Sequence, residues 1–137
     1  MNHSVNVTWE KNMKFVTNLD GHQLVVDSSV EGGGDNEGPR PKALMMVALA
    51  GCTGMDVISI LKKMQVEITY FNLRIEGITH DEHPRKFESM KIIYEFKGNN
   101  LVFAKLQKAV NLSVDKYCGV NANYRDAMKM DYEIVIL

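Results

Sequence analysis

The residues with the best-defined chemistry in this chain are its two cysteines, Cys52 and Cys118. A thiolate is both a nucleophile and a soft ligand, and its reactivity follows its ionisation and its exposure. Cys52 lies in Gly51-Cys52-Thr53-Gly54-Met55-Asp56, within a run from Pro41 to Lys63 whose one carboxylate between Ala43 and Leu61 is Asp56. Each flanking glycine costs a helix about 1 kcal/mol relative to alanine. The pair therefore marks a close approach or a break at the sulfur. If the break falls at Gly51, Cys52 faces the amides that open the second segment, and the helix dipole favours a negative sulfur. Asp56, four residues on, shares that helix face, and an ionised carboxylate there opposes a negative sulfur. The plain structural alternative is a small buried hydrophobe, the commonest fate of a free cysteine.

Other clusters carry less. His80-Asp81-Glu82-His83-Pro84 holds four donors that suit zinc, but Pro84 spoils helical spacing and no cysteine is near, so a polar hairpin loop is expected and no metal. Gly32-Gly33-Gly34 suggests a phosphate cradle, yet no Gly-Lys-Ser/Thr follows; residues 28–40 read as a flexible loop, and no nucleotide or other cofactor is expected. Sixteen basic against seventeen acidic residues, with no basic stripe, give no argument for nucleic acid. The apolar run is nearly long enough to cross a bilayer, which takes about 20 residues. Asp56 within it, the lack of a second span and a hydrophobic content of 45% favour a core helix and no membrane partner. The N-terminal residues lack the pattern of a signal peptide, and two cysteines are too few for a secreted disulfide framework, so the cytoplasm is the expected compartment.

The elements that must position these residues follow from periodicity. Alternation predicts strands over 4–10, 13–18 and 22–27, with Asp20-Gly21 as a tight turn. A helix over 41–63 follows the loop, and then two long strands, 67–79 and 86–97, which should pair antiparallel; Met90, Ile92, Tyr94 and Phe96 alternate in the second. Phe103, Leu106, Val110, Val114 and Tyr117 mark the inward stripe of a helix over 101–117, with Gly119 as its stop. A short helix over 120–128 and a strand over 130–137 complete the order β-β-β-α-β-β-α-β. The class is α+β, one domain over 1–137. The long helix is apolar on nearly every side, more than one small sheet can cover, so a homodimer that buries it against its twofold copy is expected.

This ordered set resembles the OsmC/Ohr family of thiol-dependent hydroperoxide reductases, over nearly the whole chain. The carrying residues are Pro41 ahead of Cys52, the small-residue run Ala48-Leu49-Ala50-Gly51-Cys52, Cys118 sixty-six positions later near a helix end, and Trp9-Glu10 in the first strand. Gly51-Cys52-Thr53-Gly54-Met55-Asp56-Val57, with Ile60-Leu61-Lys62-Lys63 behind it, is similar to a branch of OsmC-like bacterial proteins. Two positions depart from the peroxidase pattern: Lys42 stands where glutamate usually pairs with an active-site arginine, and Gly119 where proline commonly follows the second cysteine.

The resemblance implies two sheets around central helices in an intertwined homodimer, and a defence against oxidative stress in which organic hydroperoxides are reduced. Cys52 is then the peroxidatic thiol and Cys118 the resolving one, with an external dithiol reductant reopening the disulfide. Arg40, which closes the glycine-rich loop and resembles the family's loop arginine, is the first candidate for the cation at sulfur; Lys42 and Lys14 are rivals. Methionines at positions 45, 46, 55 and 64 would give an adaptable apolar lining for bulky alkyl peroxides, or simply fill the core. The alternative function is a non-catalytic dimeric binder of an apolar small molecule, with both cysteines merely packed.

Overall fold

Asp20 and Gly21 both take positive φ, 52° and 81°, the geometry that lets two strands turn back tightly without splaying. They join β2 (Lys14–Leu19) to β3 (His22–Val26), and β1 (Thr8–Lys11) pairs on the other side of β2. The result is an antiparallel three-stranded sheet in the order β1-β2-β3. The computed structural model describes all 137 residues, and its backbone forms two compact units, Met1–Met45 and Met46–Leu137. The expected first strand is trimmed: Val5 and Val7 alternate, but both are exposed, so no burial holds them in the ladder.

The glycine-rich segment of the N-terminal unit departs from the flexible loop expected of it. Asp27 is buried, and its carboxylate accepts backbone N–H bonds from Ser28 at 2.7 Å, Asp35 at 3.2 Å and Glu37 at 3.1 Å. One side chain therefore holds both ends of the glycine turn. Gly33 has φ 93°, a left-handed conformation that suits glycine, and a Cβ at Gly34 would meet the Ser28 carbonyl oxygen at 2.4 Å. Burial pushes the Asp27 carboxyl up, but the three amide donors outweigh it and hold the group below its ordinary value.

The C-terminal unit holds the second sheet, order β4-β5-β6. β4 (Tyr70–Thr79) and β5 (Phe87–Lys97) pair antiparallel, as their alternation predicts, and β6 (Lys129–Ile136) lies parallel to β5. A parallel neighbour requires a long crossover. It is supplied by α2 (Phe103–Leu112), a π-helical turn (Ser113–Tyr117) and α3 (Gly119–Arg125). The register puts Phe71, Leu73 and Ile75 of β4 opposite Phe96, Tyr94 and Ile92 of β5, and these in turn beside Ile136, Ile134 and Tyr132 of β6. That is the apolar face. Lys91 and Glu133 pair at 2.7 Å on the other.

The long helix α1 (Ala43–Lys63) is one unbroken element of 21 residues. At that length it is apolar enough to cross a bilayer, but here it belongs to a packed fold, with Leu49, Thr53, Gly54, Val57 and Leu61 buried along one side. The opposite side is uncovered within the protomer, Val47 being 63% and Met55 76% exposed. Hydropathy along the sequence counts apolar residues on every side, whereas this protomer covers only one. The helix expected over 101–117 differs too. Its continuation past Leu112 is a π turn, so Tyr117 is exposed, and Phe103, in the first turn of α2, is exposed as well.

Because the folded Asp27 carboxyl sits below its ordinary value of 3.8, its contribution is fully present above that value and is lost as pH falls through the lower folded one. Hydrogen exchange at Asp35 and Glu37 should show protected amides that lose protection on acidification. Asp27→Asn should remove that acid-dependent step and leave both sheets protected.

Candidate functional site

The buried face of α1 repeats every four residues at Leu49, Thr53, Val57 and Leu61, and its one hydroxyl must find a partner inside the protein. Thr53 Oγ1 lies 2.7 Å from the Tyr94 hydroxyl of β5 and 2.7 Å from Ser113 Oγ of the π turn. Ser113 Oγ in turn donates to Asp56 Oδ2 at 2.9 Å. An ionised carboxylate only accepts, and each hydroxyl carries a single proton, so the donors are ordered. Ser113 donates to Asp56, Thr53 to Ser113, and Tyr94 to Thr53. Burial pushes the Tyr94 phenol well above its ordinary value, keeping it a proton donor. No buried side-chain nitrogen or oxygen in the protein is left without a partner.

Ser113 continues the inward stripe of Leu106, Ala109 and Val110 in ordinary helical phase. Beyond it the wider i→i+5 bond, Cys118 N–H to Ser113 C=O at 2.8 Å, shifts the phase of the helix and leaves Tyr117 exposed. It also ends the helix at Cys118, whose backbone is extended (φ −76°, ψ 101°). Gly119 is therefore the first residue of α3, not a stop. Cys118 caps α3, its Sγ accepting the Asn121 N–H at 3.4 Å.

On α1, Cys52 and Asp56 stand one residue before and three after Thr53, on the flank facing this cap. The sulfurs of Cys52 and Cys118 and a carboxylate oxygen of Asp56 lie within 4.8 Å of one another. Both thiols are free. Cys52 is half-buried, whereas Cys118 is 3% exposed. Burial, followed by contact with the Cys52 thiol, outweighs the Asn121 amide and pushes the Cys118 thiol up to about 11. Two thiols and a carboxylate so placed are donors of the kind that hold a thiophilic cation; they are equally the parts of a dithiol–disulfide couple.

The residues singled out from sequence are thus partly brought together. Cys52 and Cys118 meet, but α1 runs through Gly51, so Cys52 has helical neighbours on both sides and no segment opens at it. The expected help from a helix N-terminus is absent, because a glycine penalty near 1 kcal/mol is outweighed by the buried face and the continuous backbone bonding of a long helix. Gly54 serves close approach: a Cβ there would meet Leu73 of β4 at 3.1 Å. Arg40 belongs to the N-terminal unit, where its guanidinium donates to Asn36 Oδ1 at 2.8 Å and to the Gly38 carbonyl at 3.0 Å. Lys14, in the same unit, pairs with Glu37 at 2.6 Å and Glu10 at 3.2 Å, and these bonds hold it above its ordinary value. His80 and His83 lie in the polar loop between β4 and β5, closed by His80 N–H to Lys86 C=O. Tyr94, Thr53 and Ser113 escape a search for chemical side chains. Their signal is a hydroxyl at a position where spacing demands an apolar residue.

The order of elements and the converging cysteines define a class of protein: the chain belongs to the OsmC-like protein family, which it matches over residues 33–133. Among its relatives is Protein YhfA of Escherichia coli strain K12, 29% identical over 132 residues that cover 94% of this chain and 96% of that one. A hypothetical protein from Aquifex aeolicus VF5 has the same fold, with a TM-score of 0.83 at 25% identity, covering 100% of this chain and 98% of that one. An organic hydroperoxide resistance protein from Elizabethkingia anophelis shares the fold alone, at 11% identity and a TM-score of 0.73 over 100% of this chain and 99% of that one.

The contrast in exposure makes a direct prediction. Under native conditions iodoacetamide should alkylate Cys52 well before Cys118, by about tenfold or more, and peptide mass mapping over time would read the order. Denaturant should equalise the two.

Proposed function

We propose that this protein reduces organic hydroperoxides by a two-cysteine cycle, as a cofactor-free cytoplasmic enzyme of oxidative-stress defence that works as a single OsmC-like domain. The observation that carries this reading is the approach of the Cys52 and Cys118 sulfurs to within 4.8 Å in an OsmC-like fold. The name of the Elizabethkingia anophelis protein, an organic hydroperoxide resistance protein of the same fold, supports the substrate class.

The Cys52 thiolate attacks the outer peroxide oxygen; the O–O bond breaks, sulfur becomes sulfenic acid, and the alkoxide leaves as alcohol on taking up a proton. Cys118 then attacks the Cys52 sulfur, the S–O bond breaks, water leaves, and an external dithiol reduces the resulting disulfide. The difference in exposure supports these roles, since peroxide reaches half-buried Cys52 more readily than buried Cys118. Arg40 is the proposed cation for the thiolate by its likeness to the family's loop arginine. It directly precedes the turn that opens α1, while Lys14 is already engaged by two glutamates. With Lys42 in the place of the family glutamate, Arg40 bonds Asn36 and the Gly38 carbonyl instead.

OsmC-like proteins are generally homodimers, and the bare side of α1 supports the same state here. Val47, Gly51, Met55 and Ile58 line a groove of about 780 Å³ closed on its other side by Phe71 and Leu73. In a homodimer the second copy covers that face. Val47→Glu should then convert a dimer into a monomer by sedimentation at micromolar concentration; a monomeric wild type would remove the homodimer from the proposal.

The second reading, a non-catalytic dimeric binder of an apolar small molecule, draws on the same groove. Exposing the reduced protein to cumene hydroperoxide and counting thiols separates the two. The proposal expects both thiols lost in wild type, none lost in Cys52→Ser, and one oxidation event, trapped as sulfenic acid, in Cys118→Ser. Hydrogen peroxide should react more slowly, because exposed Ala48 lies one turn before Cys52 and an apolar contact there rewards an alkyl group at about 0.8 kcal/mol per buried methylene. Two thiols still titrating after excess hydroperoxide would leave the binder.

A further inference from the structure

Cys118 presents a problem that its position does not solve. It is buried, capped by one weak amide donor, and must lose its proton before it can attack another sulfur. The groups able to titrate around it are Cys52 and Asp56 from α1, Tyr94 from β5 and Tyr124 from α3. Burial raises both tyrosines, so they hold their protons, and Cys52 is the atom to be attacked. That leaves the Asp56 carboxylate, whose oxygen lies within 4.8 Å of both sulfurs. Its hydrogen-bond partner is the Ser113 hydroxyl, itself aligned by Thr53 and Tyr94. Three hydroxyls in series thus hold one carboxylate oxygen, leaving the remaining lone pairs for the sulfurs within 4.8 Å, a gap that direct approach or one bridging water closes.

From this arrangement we infer that Asp56 is the general base for Cys118, with Ser113, Thr53 and Tyr94 as its positioning residues. This deepens the two-cysteine reading and rests on it for the biological reaction. When Cys118 attacks sulfenic Cys52, its proton passes to Asp56, the S–S bond forms, and the S–O bond breaks. The departing hydroxide takes the same proton from Asp56 and leaves as water. The step needs no other oxidant or reductant: the Cys118 sulfur is oxidised as the sulfenic sulfur is reduced to the disulfide level.

The sign of one substitution separates this role from a merely electrostatic one. A carboxylate beside a thiol disfavours the thiolate, so if Asp56 acts only through its charge, Asp56→Asn should make Cys118 ionise more readily and react faster. A general base predicts the opposite. The step can be read without peroxide by loading Cys52 with dithio-bis-nitrobenzoate in chelator and following the second thionitrobenzoate released as Cys118 displaces the first adduct.

With chelator present throughout, Asp56→Asn should slow that second release at neutral pH by about tenfold or more, the low end of general-base catalysis. Its rate should climb steeply with pH toward wild type as hydroxide takes over. Ser113→Ala should show a smaller loss with the same pH trend, and it replaces Asp56→Asn if circular dichroism shows the latter unfolded. A second release as fast as wild type or faster in Asp56→Asn, or in Ser113→Ala standing in for it, would overturn the assignment. A parallel arm with cumene hydroperoxide tests the other reading: normal thionitrobenzoate release with both thiols still titrating after the hydroperoxide, and no sulfenic acid in Cys118→Ser, leaves Asp56 as the base and removes the peroxidase.

Discussion

Leaving a buried hydroxyl unpaired costs about 1–3 kcal/mol, and the C-terminal unit buries three of them in contact: Tyr94, Thr53 and Ser113, all at 0% exposure. Their mutual bonds at 2.7 Å join a strand, the long helix and the π turn at one point. Apolar packing along α1 would tolerate a slide or a small rotation, because dispersion contacts are weakly directional. Hydrogen bonds are not so tolerant, and three in sequence ending on a carboxylate fix the phase of α1 against β5. Rotating α1 by one residue, about 100°, would bury Cys52 or Gly54 where Thr53 stands and leave Tyr94 without its acceptor. The position of Cys52 is therefore set by its neighbour in sequence.

The same point fixes the second cysteine. Ser113 receives the Cys118 N–H across the π turn, so the residue that anchors Asp56 also sets where the chain breaks before α3. A regular α-helix through this region would bring the next carbonyl into line and carry Cys118 around with it. A π turn stores an irregularity in the backbone, and such turns recur where side chains must be aimed. Here the aim is mutual, since Ser113 and Cys118, five residues apart, point toward the same flank of α1.

What the sequence discloses follows from which forces are periodic. The strand alternation at Met90, Ile92, Tyr94 and Phe96 reports burial on one face, and all four are buried. The Asp20-Gly21 turn is visible because positive φ restricts residue choice. The family, too, is legible from short motifs in the right order. Three features are not. An unbroken α1 contradicts the local cost of two glycines, because local propensity yields to tertiary packing. The π turn has no compositional marker, so a 3.6-residue stripe through Val114 and Tyr117 points the wrong residues inward. Asp27 figures in the sequence only as the end of a strand, and its hold on the following loop comes from three amide donors that no pattern announces.

The division between an accessible and a buried sulfur also constrains how the proposed cycle must close. Once the disulfide exists, an external dithiol reaches the Cys52 sulfur more readily than the 3%-exposed Cys118. Attack at Cys52 makes Cys118 the leaving thiolate, and its burial, which disfavours the charged form, makes it a poor one unless a proton arrives as it departs. The attacking dithiol brings the proton: Asp56, left ionised once water has departed, takes it from the incoming thiol and passes it to the Cys118 sulfur as the disulfide opens. The hydrogen bond that holds Asp56 comes from a neutral hydroxyl, not from a cation. The uncharged hydroxyl of Ser113 orients the carboxylate without fixing its charge, and this makes a chain of hydroxyls a better support for the position than an arginine or a lysine would be.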